Sequence, residues 1–130
     1  MKSTFIATAA LAVAACATPT LQAPPQNMEF GQPPENPEAE IRAYMEMSLK
    51  DPESARYKIE PPYRAYANQS PRDGGVFLWH GYRVDFYINA KNSFGGYTGF
   101  KPYFAMFRDG KLVSAYPAES STWVFTTVRE

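Results

Sequence analysis

The sequence predicts an α+β domain: one N-terminal helix packed on an antiparallel sheet of about four to five strands, in two layers. Three observations carry this. In the body of the chain, apolar residues recur at helical spacing over one stretch, residues 37–50. Beyond Arg56 the chain alternates in short runs broken by Pro, Gly, Asp and Asn. Asp109-Gly110 lies between two such runs, the pattern of a two-residue hairpin. One helix followed by several antiparallel strands packs with the helix on one sheet face.

The helix has a start signal and a stop signal. Asn36 suits the N-cap, Pro37 the first helical position, and Glu38 and Glu40 the positive end of the helix dipole. Ile41, Tyr44, Met45, Ser48 and Leu49 form one face. Glu38–Arg42 and Glu46–Lys50 are i,i+4 pairs in the favourable order. Pro52 turns Asp51 away from helical geometry, so the helix is expected to stop near Lys50.

The strands follow. Residues 56–60 and 63–67 alternate on either side of Pro61-Pro62, as one bent edge strand or two short ones. Residues 76–89 form the clearest strand. Val76, Leu78, His80, Tyr82, Val84, Phe86 and Ile88 are assigned to its apolar face. Trp79 and Tyr87 fall on the other face, a candidate exposed aromatic face. Gly81 suggests a bulge or bend. Residues 100–108 and 111–116 flank the hairpin turn, and 122–129 is the last strand.

Chemistry is sparse. His80 is the only histidine and sits on the apolar face, where it reads as a core residue. A zinc site takes about four ligands, and no His, Cys and carboxylate cluster supplies them. No serine lies in a Gly-x-Ser-x-Gly context. No cofactor, metal or catalytic residue is assigned. Asp73, Asp85, Asp109 and Glu60 read as turn or surface residues. The loop of residues 91–99 is the candidate partner or ligand loop. Gly95, Gly96 and Gly99 give it freedom, and Asn92 and Ser93 can bond their own backbone. Phe94 and Tyr97 are expected to pin it by burial. One reading is a self-packed connection. The other presents Lys91, Asn92, Tyr97 and Thr98 to a ligand.

The N-terminal part is of a different kind. Residues 4–15 are uncharged and free of proline, but too short to span a bilayer, which takes roughly 20 apolar residues. Small residues, Ala14 and Ala15, precede Cys16, the only cysteine. From Ala17 to Glu35 the chain is rich in Pro and Gln with no helical or strand period, and is expected to be a largely disordered stalk. Its alternative is docking through Leu21, Met28 and Phe30.

Val13-Ala14-Ala15-Cys16 resembles the lipobox of bacterial lipoprotein signal peptides. The resemblance implies cleavage before Cys16, lipid on Cys16, and an outer-membrane position facing the periplasm or cell surface, since Ala17 follows where aspartate marks inner-membrane retention. The alternative is an ordinary secretory signal cut after Ala10-Leu11-Ala12. The chain divides into a signal peptide over 1–15, the lipidated cysteine and linker over 16–35, and one domain over 36–130. Without Lys2, 12 basic residues face 13 acidic ones, which gives no pull toward nucleic acid. No internal disulfide can form, so stability falls to burial of aromatics.

Asp51-Pro52-Glu53-Ser54-Ala55 and Asn89-Ala90-Lys91-Asn92-Ser93-Phe94-Gly95-Gly96-Tyr97-Thr98-Gly99-Phe100 resemble the shared motifs of a family of small uncharacterised bacterial exported proteins and lipoproteins. The family pattern is a DP-x-SA turn and an NAKNS-aromatic-GGYTGF loop. It implies export and a small α+β body, and no activity. Family members often carry a cysteine shortly before the Asn-Ala-Lys; Val84, Asp85, Phe86 and Tyr87 stand there in this chain. The expectation is therefore a membrane-anchored, non-enzymatic envelope module that binds another protein. The alternative is a glycan or peptidoglycan binder, and a small hydrolase comes third.

Overall fold

The computed structural model describes residues 20–129. Helix α1 spans Pro37–Glu46 and is followed by six strands: β1 (Arg56–Ile59), β2 (Tyr63–Asn68), β3 (Phe77–Asn89), β4 (Lys101–Arg108), β5 (Lys111–Pro117) and β6 (Val124–Thr127). All pair antiparallel in one sheet of order β5-β4-β3-β2-β6, with β1 also on β3. One helix on an antiparallel sheet is the predicted α+β class, with one strand more than expected.

The extra strand comes from Pro61-Pro62. Proline cannot donate to a ladder, so the chain breaks there into β1 and β2. Both pair with β3, Tyr57 opposite Ile88 and Ala65 opposite Gly81. Asp109 (φ 50°) and Gly110 (φ 78°) make the β4–β5 turn with both central residues left-handed, as a type I′ hairpin requires.

Helix α1 starts as its sequence dictates, with the Asn36 side chain accepting from Ala39 N at 3.2 Å. Arg42 pairs with Glu38 at 2.9 Å. The helix ends at Glu46, a turn earlier than expected. Lys50 consequently leaves its i,i+4 partner and donates to Ser93 Oγ at 3.5 Å. Ile41 and Met45 pack on Tyr82, Val84, Phe86 and Ile88, with Ala105, Phe107 and Ala115 beside them. Only this half of the predicted apolar face is covered by the helix. Val76 and Leu78 are exposed, and His80 is half-buried.

The other sheet face curls. Phe104 on β4 and Phe125 on β6 have ring centroids 5.0 Å apart, although β3 and β2 lie between their strands. A flat sheet would separate these strands by roughly 14 Å. Ala65, Ala67 and Gly81 lie on this face and are buried; their small side chains let the strands bend inward. Gly81 is not a bulge. It pairs regularly with Ala65, and the register shift falls at Ala67/Asn68. Gly81 is small because the Phe107 carbonyl and the Trp79 ring lie over it.

Residues from 20 onward do not form a free stalk. Gln22 N donates to Gly75 O at 2.8 Å, and Gln22 Oε1 accepts from Phe77 N at 2.9 Å. The fully buried Asn68 donates to Gln22 O and to Gly75 O. Phe30 meets the His80 ring edge-on, with centroids 6.1 Å apart. The docking alternative holds here through Phe30. Cys16, the signal segment and residues 17–19 lie outside the described residues. Among the described residues no helix is long and apolar enough to cross a membrane.

Candidate functional site

The two sequence motifs meet in space. Lys91 N donates to Ser54 Oγ at 3.1 Å, and Tyr97 OH donates to Ser54 O at 3.1 Å. The short turn at Pro52–Ser54 thus holds the base of the β3–β4 loop. Arg56 stacks over the Tyr97 ring, its guanidinium carbon 4.3 Å from the centroid. The loop also holds itself. Asn92 Oδ1 accepts from Phe94 N and Gly96 N, and Lys91 bridges to Tyr97. Gly95 and Gly99 take φ of 81° and 94°, which favours glycine at both.

This framework corrects one expectation. Phe94 does not pin the loop; it projects from the tip and is 96% exposed. The backbone bonds of Asn92 already close the turn, so no apolar contact is needed to hold it. Tyr97 is the residue that ties the loop down.

Between the loop, the end of α1 and the start of β4 lies a groove of about 320 Å³. Three of the four loop candidates, Lys91, Asn92 and Thr98, line it; Tyr97 instead spends its hydroxyl on Ser54. Lys50 and Lys101 complete its cationic rim, and Leu49, Ile88 and Tyr103 form an apolar floor. No carboxylate lines the groove, and among the described residues none pairs with Lys50, Lys91 or Lys101. Lys50 and Lys101 were not legible as members: one follows the helix and the other opens β4, and only the fold joins them to Lys91.

The aromatic face is only partly exposed, with Trp79 and Tyr87 half-buried. Trp79 packs edge-on against Phe125, and its Nε1 is buried without a partner among the described residues. The same face carries an ion pair. Arg83 Nε donates to Asp85 Oδ1 at 2.8 Å, and Tyr63 OH donates to Asp85 Oδ2 at 2.8 Å. Arg83 lies over both the Phe104 and the Phe125 ring, 4.5 and 4.4 Å from their centroids. Burial first, and the bond to Asp85 second, push the Tyr63 phenol up to about 12. Asp85 is therefore an ion-pair member whose side chain stays partly exposed. A cleft of about 240 Å³ opens nearby beneath the β5–β6 connection, between Tyr116, Phe104 and Trp123. Ser120, Ser121 and Thr122 complete its lining, which holds no charged residue.

His80 lies between Phe30 and Phe77, and burial first, then Arg108, lower its pKa. Among the described residues no group of three or more His, Cys, Asp or Glu is placed to hold a metal ion. No family model, curated protein or solved structure matches the chain.

Proposed function

We propose that this chain is a membrane-anchored envelope lipoprotein that binds, without catalysis, a carboxylate-bearing cell-wall glycan at the β3–β4 loop groove. The observation that carries the binding reading is the groove with three lysines on its rim and no carboxylate. Uncompensated cations attract an anion, and a concave site favours a chain of rings over a flat protein patch. Phe94 adds an exposed aromatic face beside it, of the kind that packs against a sugar ring. Cys16, in its lipobox setting, supplies the anchor in this reading.

Co-sedimentation with purified peptidoglycan tests it. The protein is expected in the pellet at low salt and in the supernatant at high salt, because exposed charges are screened. Lys91→Gln with Lys101→Gln should weaken retention by about tenfold or more, since hydrogen bonds to charged groups contribute roughly 1.5–3 kcal/mol each. Absence of retention by the unaltered protein at low salt would sink the glycan reading.

A protein partner is the second reading. It is favoured by β5, which ends the sheet order and carries the 55% exposed Val113. Chemical crosslinking in envelopes that captures a defined protein through β5, alongside failed sedimentation, would favour it.

A further inference from the structure

We infer that the β2–β3 turn end of the domain rests on the lipid surface, through Leu21, Val76 and Leu78, so that the lysine groove points away from the membrane. This rests on the lipoprotein reading of Cys16. It adds which face touches lipid and which way the binding loop faces.

The argument starts from where the described chain begins. Thr20 lies against Gly75, so closely that a side chain on Gly75 would strike the Thr20 carbonyl. Gln22 is bonded to Gly75, just before β3, and to Phe77, its first residue. Cys16 is four residues before Thr20, and four Cα steps of about 3.8 Å reach at most ~15 Å. A lipid on Cys16 therefore holds the Gly75 end within a short distance of the bilayer. The docked segment removes the slack that a free proline-rich stalk would have provided.

The surface at that end suits the location. Leu21, Val76 and Leu78 are 37%, 47% and 38% exposed. Val76 and Leu78 share one strand face, and the Leu21 backbone lies beside Gly75. Arg72 and Asp73 in the neighbouring turn offset each other, and Asp73 is engaged by Ser70 Oγ at 2.9 Å. The contact is thus apolar in character, and such burial adds to the hold of the lipid on Cys16. The opposite end of β3 carries the groove loop. Thirteen strand residues at ~3.3 Å each put the loop roughly 40 Å further out.

The test uses the full lipidated protein in phosphatidylethanolamine/phosphatidylglycerol vesicles. Cys16 is the only native cysteine and is blocked by lipid, so Val76→Cys, Leu78→Cys and Phe94→Cys each offer one thiol to an environment-sensitive fluorophore. Lipids bearing a quencher near the headgroup are expected to quench the probe at 76 and at 78 at least twofold more than at 94. Mass analysis of the same samples reads the acyl chain on Cys16. With the chain present, equal quenching at all three sites overturns the orientation and leaves the lipoprotein reading standing. A mass without the chain overturns the lipoprotein reading, and the orientation falls with it.

Discussion

His80 is held by two rings and loses hydration without gaining an anionic partner. Burial, and then the Arg108 charge, favour the neutral imidazole; the Glu29 backbone and the Asp109 charge oppose this more weakly. In the unfolded chain the group takes its ordinary value of about 6.5. The unfolded state therefore binds the proton more readily, and stability falls as pH drops from neutral through about 6.5, levelling below the folded value. Urea unfolding at pH 7.5 and 5.5 should show this loss, and His80→Phe should remove most of it. An unchanged slope in the variant would show that other groups carry it. At the next residue the constraint is steric. A Cβ on Gly81 would stand 2.7 Å from the Trp79 ring and closer still to the Phe107 carbonyl. Gly81→Ala should cost about 1–3 kcal/mol in thermal or denaturant unfolding. The lone glycine in β3 was legible as a special position, but its reason was not. A glycine in a strand marks a bulge or a close approach alike, and only the neighbours that lie over it distinguish them.

At the scale of elements, α1 and the β4–β5 hairpin could be read from short-range signals. Asn36, Pro37 and Glu38 set the helix start by local bonds and charge, and Asp109-Gly110 sets its turn by φ alone. The segment of residues 20–35 could not be read this way. Its prolines dictate an extended backbone, and an extended backbone can either float or lie along a sheet end. Asn68, buried and 46 residues beyond Gln22 in sequence, decides for docking by donating to Gln22 O and Gly75 O at 2.9 and 3.0 Å. Asn68→Ala removes both bonds from a buried site, with an expected loss of about 1–3 kcal/mol. Limited proteolysis should then cut within residues 22–30 several-fold faster. Resistance equal to that of the unaltered protein would mean that Phe30 and the Gln22 bonds to Gly75 and Phe77 hold the segment unaided.

In the whole molecule the sheet serves two faces with different chemistry. One packs α1 through Ile41 and Met45 on Val84 and Phe86. The other curls on itself, with Arg83 over the touching rings of Phe104 and Phe125 and bonded to Asp85. Arg83→Met keeps much of the volume but strips Asp85 of its ion-pair partner and removes both cation–ring contacts. The expected cost is about 2 kcal/mol, from bonds to charged groups and ring contacts that are partly solvated. Arg83→Lys should recover only part of it, because lysine lacks the planar guanidinium that stacks on aromatic faces. Chemical denaturation of the two variants side by side checks the order; equal stabilities would assign the whole effect to charge. The groove belongs to the same scale. Lys91, Asn92 and Thr98 could be singled out in the loop, but Lys50 and Lys101 join them only because α1 ends early and β4 starts beneath the loop.

The sequence by itself determined the fold class, the hairpin, the helix start and the polar loop at the end of β3. Each depends on residues a few positions apart, whose periodicity and turn preferences act before the chain is folded. It also supplied the Cys16 context on which the anchoring proposal stands. The tertiary structure alone decided the curl of the sheet, the burial of Asn68, the ion pair of Asp85, the exposure of Phe94 and the gathering of three lysines. Those depend on partners tens of residues away, such as Lys50 and Ser93 or Asn68 and Gln22. Contacts at that separation leave no periodic trace in the sequence, because their geometry is set by how strands are ordered in the sheet.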